Sequence, residues 1–324
     1  MGWALISMNI RVGETCAAPG EKKRGILNVP GDHDPEYNPE YCIVNGVNPG
    51  KHMVVFGGTH GTEFASIEAV TRFIEALDPA EMSGSVVAVP VANIPQFKHR
   101  TQFTSPIDDL NLNAVFPGKS DGSFTERLAF ALSELIRGSY AFIDCHGGDI
   151  NEDIRGFVVA AHGSDPDLNT RALELAQCYN TGFIHFFPAD PGLTISAQNL
   201  YGIPSIMPEA GTPFPVLEEA VMFHVDGLMN VLRYLEILPG EMVRYQSFVS
   251  PERVKLYSEF EGVWDCFVEL NQHVEAGEPL GVVKNVFGEV LEIIEAPQDG
   301  IIGMKRCYYS VQKDEMLVVV STRP

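Results

Sequence analysis

The stretch that most constrains this chain is Val54-Val55-Phe56-Gly57-Gly58-Thr59-His60-Gly61-Thr62-Glu63. An apolar run ends in two glycines, a histidine and a carboxylate follow three residues apart, and a helical pattern begins. The glycines let the backbone bend sharply between strand and helix. Imidazole and carboxylate at i, i+3 lie side by side on one turn, and both are good zinc donors. A His-x-x-Glu also arises in any solvated first helical turn, so its meaning comes from the rest of the chain. Two further apolar runs end in the same way. Tyr140-Ala141-Phe142-Ile143-Asp144-Cys145 leads to His146-Gly147-Gly148, and Ile203-Pro204-Ser205-Ile206-Met207-Pro208 leads to Glu209. In open α/β sheets the ligand site lies beyond the carboxyl ends of the strands. These handovers therefore predict His60, Glu63, His146 and Glu209 around one crevice. Two histidines and a glutamate, with a fourth position left to water, make a catalytic rather than a structural zinc shell, and Glu209 fits the general base.

Around these runs the periodicity predicts an α/β fold with a mixed sheet flanked by helices. Met53 to Gly58 reads as a buried strand, and Phe64, Ile67, Val70, Ile74 and Leu77 place a helix over Thr62 to Leu77. Ser85 to Val91 is a second strand. Asn93 to Gly118 lacks periodicity and reads as a long ordered loop, of a length that is usually functional. Ser123-Phe124-Thr125-Glu126 is a capping-box pattern ahead of a helix that stops near Gly138. Tyr140 to Asp144, Gly156 to Ala161, Gly182 to Phe187 and Ile203 to Met207 are further strands; Pro166 to Tyr179 and Val216 to Leu238 are helices. Residues 1 to 50 read as an irregular lead-in or an edge hairpin. From about Val243 short β segments alternate with Gly, Pro and Asn. The turns at Val274 to Gly281 and Ala296 to Ile302 resemble those of biotinyl- and lipoyl-type modules. Lys305 follows the second turn without sitting in a tight hairpin, so the module reads as structural. The predicted organisation is a catalytic domain over residues 1–240 and a smaller all-β domain over 241–324.

Composition limits the partners. A net charge of −21, from 43 acidic and 22 basic side chains, argues against nucleic acid or an anionic membrane as the main partner. It says little about the substrate, since a local cluster of arginines can reverse the field inside a cleft. No apolar run approaches the ~20 residues of a membrane helix. The start MGWALISMNIRVGE has neither the pattern of a secretory leader nor, with Ile6 at the sixth position, that of a myristoylation site. The six cysteines form no Cys-x-x-Cys pair and read as reduced thiols of a cytoplasmic protein. A homo-oligomer is allowed by the sequence and not specified by it.

Four ordered motifs together resemble the succinylglutamate desuccinylase/aspartoacylase family, within the zinc carboxypeptidase-like fold. They are Gly58-Thr59-His60-Gly61-Thr62-Glu63, Asp109-Leu110-Asn111-Leu112-Asn113-Ala114-Val115-Phe116-Pro117-Gly118, Asp144-Cys145-His146-Gly147-Gly148 and Pro208-Glu209-Ala210-Gly211. The resemblance implies a zinc-dependent amide hydrolase. His60, Glu63 and His146 would hold one zinc ion per chain, Glu209 would be the base, and Arg100 would polarise the scissile carbonyl. Asn113 would help hold a substrate carboxylate. One position departs: where the family has an arginine that grips that carboxylate, this chain has Ala114. Either another arginine substitutes, with Arg155 and Arg127 as candidates, or the substrate lacks that carboxylate. Relatives with this C-terminal module include deacetylases of N-acetylated diamino acids, so the expected substrate is a small N-acyl amino acid or N-acyl amine.

Two other readings compete. A carboxypeptidase-like hydrolase of short peptides would also want an arginine clamp, and Ala114 counts against it. A degenerate relative that only binds a small ligand has no need of a base at Glu209. Among the other histidines, His185 reads as a core or edge-strand residue, His224 as a surface or helix-packing one, His99 as solvated or pocket-lining, and His162 as the end of a strand. Cys145 alternates away from its neighbour's face and reads as buried.

Overall fold

The structure is a computed structural model that describes residues 9–249 and 253–322. Residues 1–8, the first part of the segment read for a leader, lie outside them. The chain begins with a small hairpin, β1 (Ile10–Val12) and β2 (Thr15–Ala17), followed by β3 (Glu21–Ile26) and β4 (Glu40–Asn45). The expected edge hairpin is thus realised, and β3 and β4 pair antiparallel at one margin of the large sheet. Then come β5 (Asn48–Gly57), α1 (Phe64–Ala76), β6 (Ser83–Val89), α2 (Ile94–His99), α3 (Phe124–Ile136) and β7 (Ala141–Cys145). The middle of the chain supplies β8 (Glu152–His162), α4 (Pro166–Ala176), β9 (Phe183–Pro188), α5 (Ala197–Tyr201), β10 (Ser205–Gly211) and α6 (Glu218–Tyr234). A β-rich tail follows: β11 (Phe248–Val249), β12 (Arg253–Tyr257), β13 (Gly262–Cys266), β14 (His273–Val274) and β15 (Pro279–Lys284). It ends with β16 (Val290–Glu295), β17 (Gly300–Arg306), β18 (Ser310–Val311) and β19 (Met316–Ser321).

The large mixed sheet runs β12-β19-β17-β8-β10-β7-β5-β6-β4-β3. Its centre is parallel, β6-β5-β7-β10, and these strands are apolar on both faces because helices cover both sides. α1, α4 and α6 cover one face, where Val55, Phe73, Ile143, Val158 and Leu228 share a core. α3 covers the other with Phe56, Leu128, Leu132 and Phe142.

β8 joins the two halves of the molecule. It lies antiparallel to β10 along one side. Along the other, its first residues pair with β17 (Ile154 with Met304) and its later ones with β9 (Val158 with Ile184). The C-terminal β region therefore continues the main sheet through β17, β19 and β12, and it also builds its own four-stranded sheet β16-β15-β13-β18. Trp264, Leu280, Val283 and Leu317 pack in the core between them.

One local expectation differs from what is observed. The long loop from Asn93 contains α2, capped by Asn93 Oδ1 accepting the Gln96 N–H. At six residues it is too short to show helical periodicity. At α3 the expected capping box is present, with Glu126 accepting the Ser123 N–H at 3.0 Å, and Asp108 of the preceding loop also holds the Thr125 N–H. No helix among the described residues is long and apolar enough to cross a membrane.

Candidate metal centre

Residues His60 and Glu63 sit on the turn between β5 and α1, where the Glu63 N–H donates to His60 O and Glu63 takes the N-cap position. Gly58 has φ +59, a conformation that favours glycine. At Gly61 a Cβ would come within 2.3 Å of Phe97 N, so α2 packs directly on the histidine turn. Gln96 Oε1 accepts the Gly61 N–H at 2.9 Å and fixes that contact. His146 follows β7 immediately and pairs in parallel register with Glu209 on β10.

Three of these residues come together in a group that could hold a metal ion. Donor atoms of His60, Glu63 and His146 lie within 4.8 Å of one another, and all three residues are buried. His60 Nδ1 is 2.7 Å from Glu63 Oε1, and His146 Nδ1 is 3.0 Å from Glu63 Oε2. The far sides of both rings are held. His146 Nε2 lies 2.8 Å from Asp144 Oδ2, which Thr194 Oγ1 also reaches at 2.7 Å, while Thr59 Oγ1 donates to Asp144 Oδ1 at 2.7 Å. His60 Nε2 lies 3.1 Å from Asn111 Oδ1, which also accepts the Asn113 N–H at 2.8 Å and so is fixed as an acceptor. With Nε2 donating to these acceptors, each ring turns Nδ1 toward Glu63, where a metal ion would take the place of the Nδ1 proton. This is the outer-shell arrangement by which proteins orient metal-binding imidazoles. The donor set fits a divalent ion such as zinc.

The electrostatics agree with that fit. Burial works against the charge on Glu63, but the two histidines overcome it and hold the carboxyl below the usual range. Burial likewise opposes protonation of His60 and His146, and is outweighed by Glu63 at both rings and by Asp144 at His146, so both rise. Carboxyl groups this dense call for positive charge between them, which two imidazole protons or one divalent ion supply. We expect Asp144→Asn to weaken metal binding about 10- to 100-fold, read by competition with a chromophoric chelator, because the amide cannot accept from all three donors.

Glu209 stands apart from the other carboxyl groups here. It pairs with Phe157 of β8 on one side and His146 on the other, and keeps contact with solvent. Glu63, Asp144, Asp149 and Glu152 all accept hydrogen bonds, whereas among the described residues none reaches the Glu209 carboxyl. Burial pushes Glu209 up to about 8, with His146 and Arg253 pulling it down and Glu63 and Glu152 reinforcing the rise.

The other expected residues occupy the surroundings. Arg100 ends α2 in the left-handed conformation (φ 55) and is exposed, one helical turn beyond the contact with Gly61. Phe103 and Asp109 share this strained conformation, which clusters near functional sites. The Phe103 ring lies 5.5 Å from His60, with its N–H held by Asp149. Asn113 is buried; its Oδ1 accepts the Thr194 N–H at 2.9 Å and its Nδ2 meets Met207 Sδ at 3.5 Å. Arg155 lies over the Phe183 ring at 4.6 Å and lines a separate cleft with Gly156, Ala210 and Phe223. Arg127 is fully engaged by the carbonyls of Pro30, Gly122 and Asp32. Cys145 is buried and its thiol is pushed well up by burial. His185 is buried on β9; His99 and His162 are exposed. His224 is not at the surface: it is fully buried on α6 and held neutral, pushed down to about 3 by burial.

Several contributors were not singled out in the sequence: Asn111, Asp144, Asp149, Glu152 and Arg253. Asp144 had a usable signal, standing two residues before His146 on the same strand face. Arg253 had none, because only the sheet topology brings it near.

Comparison with known proteins is consistent with this geometry. The profile of the succinylglutamate desuccinylase/aspartoacylase catalytic domain matches residues 49–235. An N-alpha-acetyl-L-2,4-diaminobutyric acid deacetylase of Halomonas elongata is 27% identical over 282 residues, 84% of this chain and 82% of that protein. The product-bound structure of the ectoine utilization protein EutE (DoeB) of Ruegeria pomeroyi superposes with a TM-score of 0.84 at 23% identity, covering 93% of this chain and 95% of that one. A succinylglutamate desuccinylase/aspartoacylase of Rhodobacter sphaeroides gives 0.83 at 22% identity, covering 94% and 95%. At these identities the two structures speak for the fold, but the profile spans more than half of the chain. This protein belongs to the succinylglutamate desuccinylase/aspartoacylase family of amide hydrolases.

Proposed function

We propose that the chain is a zinc-dependent deacylase that removes an acetyl- or succinyl-sized group from small N-acyl amino acids in the cytoplasm. Residues 1–240 would form the catalytic domain and 241–324 the smaller β domain. The observation that carries the reading is Glu209, a carboxyl beside the metal shell with no hydrogen-bond partner among the described residues. The likeness to the Halomonas deacetylase favours an N-acetylated diamino acid within that class.

His60, Glu63 and His146 would hold the zinc ion. When bound, it supplies Lewis acidity toward the amide carbonyl and toward water. Glu209 takes a proton from the attacking water as its oxygen adds to the carbonyl carbon. It returns that proton to the amide nitrogen as the C–N bond breaks, releasing the acid and the free amine. Arg100 donates to the oxyanion from a planar, permanently charged fork. Asn113 Nδ2, whose protein acceptor is only a thioether, donates to the substrate, and Arg155 adds charge farther out on β8.

A base must be ionised to act, so kcat/KM rises with pH through the Glu209 pKa. Burial raises that pKa and a divalent ion in the adjoining shell lowers it. The limb is therefore expected between the ordinary carboxylate range and about 8, with a slope of one proton, in a pH–rate profile. Activity that stays flat down to the ordinary carboxylate range would contradict this role. The reading itself is tested by incubating zinc-loaded protein with N-acetyl and N-succinyl amino acids and following release of the free amine. Turnover of at least one, abolished by chelation and restored by zinc, is expected. No release from any of them would overturn it.

A further inference from the structure

The crevice is acidic on an acidic protein, yet an N-acyl amino acid carries a carboxylate of its own. With Ala114 exposed at the family's arginine position, Arg127 engaged elsewhere and Arg155 stacked on Phe183 in a separate cleft, a cation close to the crevice is sought on another element. The curl of the sheet provides one. β12 is the terminal strand, paired only with β19, but its first residue reaches back over β8 and β9. Arg253 Cζ lies 4.3 Å from the Phe157 ring and 5.9 Å from the Phe187 ring. Phe157 is the direct antiparallel partner of Glu209, so the two side chains leave the same face of the sheet as neighbours.

The guanidinium is thereby held over an aromatic floor one side chain from Glu209. Among the described residues it makes no ion pair and no hydrogen bond. Burial lowers the Arg253 pKa, and Glu209 and Glu152 offset that, so the arginine feels the site's charge without being paired to it. Two residues along the same strand, Lys255 lines a cavity of about 340 Å³ together with Phe103, which packs on His60, and Glu152. The same strand thus carries two basic side chains, Arg253 over Phe157 beside Glu209 and Lys255 in the neighbouring cavity. Stacking fixes the plane of the fork and leaves its N–H edge free, the geometry for bidentate capture of a carboxylate.

We infer that Arg253 supplies the guanidinium missing at position 114 and binds the α-carboxylate of the N-acyl amino acid, making the C-terminal β region a specificity element. This rests on the deacylase reading of the same crevice. It selects substrates with a free carboxylate over the corresponding N-acyl amines and amides.

The test compares an N-acetyl amino acid with its α-carboxamide on zinc-loaded wild type, Arg253→Met and Arg253→Lys. The wild-type preference for the acid, read as a ratio of kcat/KM, is expected at about 10- to 100-fold, the range of a charge-assisted hydrogen bond. Arg253→Met should bring that ratio close to one, chiefly through KM for the acid, and Arg253→Lys should restore part of it. A loss equal for both compounds, or a ratio that Arg253→Met leaves intact, would overturn the assignment. Calorimetric binding of the same pair separates the two readings. If wild type turns over neither compound yet binds the acid preferentially through Arg253, the deacylase reading falls and the carboxylate site stands; binding without preference removes the site.

Discussion

Glu209→Gln is expected to lower kcat by about 10²- to 10⁴-fold while leaving the metal bound and the fold intact. The amide keeps the shape of the acid but cannot take a proton from water. Its structural cost is small for a reason visible at the site. The Glu209 carboxyl accepts no hydrogen bond from the described residues, so the exchange orphans no donor. Its pKa, pushed up by burial, means that a neutral group suits the position. KM should change little, since the loss is confined to proton transfer. Kinetics with parallel metal analysis and thermal melting check this. A fall in kcat that tracks loss of metal would instead make Glu209 part of the shell.

His146→Ala has the larger structural effect. The imidazole stands between Asp144 and Glu63, at 2.8 and 3.0 Å, in a site where neither carboxyl is exposed. Removing one member of a buried charged set leaves the others without compensation, which typically costs about 3 to 5 kcal/mol. Thr59, Thr194, the Gly147 N–H and His60 still reach the two carboxyls, so the lower end is expected. Metal affinity should fall below that of Asp144→Asn, because a donor rather than its support is lost. Hydrolysis should drop at least as far as in Glu209→Gln. Ion binding to the folded state alone raises stability by about 4 kcal/mol at a thousandfold excess over Kd. Zinc should therefore raise the melting temperature of wild type and not of His146→Ala. An equal rise in both would contradict the ligand assignment.

The residues proposed as metal ligands were legible because they follow strand ends with local patterns of their own: an apolar run into Gly57-Gly58 ahead of His60 and Glu63, and an apolar run into His146 with Gly147-Gly148 behind it. Glu209 was legible as a residue but not as a strand position. β10 continues to Gly211, so Glu209 lies within the strand, flanked by Phe157 and His146, rather than beyond its end. α2 escaped because a helix of six residues carries no periodicity, and His224 stayed open between surface and helix packing because a single polar residue on a long helix does not reveal which face is covered; its burial on α6 is the helix-packing alternative. Arg253 was the hardest to read. Its place over Phe157 depends on β17 joining β8 and on the curl of the sheet, contacts between residues roughly 100 to 150 positions apart. Local pattern gives elements and their chemistry; long-range register decides which of them meet.

The most direct test of the account is the metal stoichiometry of the wild-type chain, measured by elemental analysis after zinc reconstitution and removal of free ion. About one zinc per chain is predicted, held by His60, Glu63 and His146. A chain that takes up no zinc would contradict the metal centre, and the hydrolytic chemistry proposed around it would fall with it.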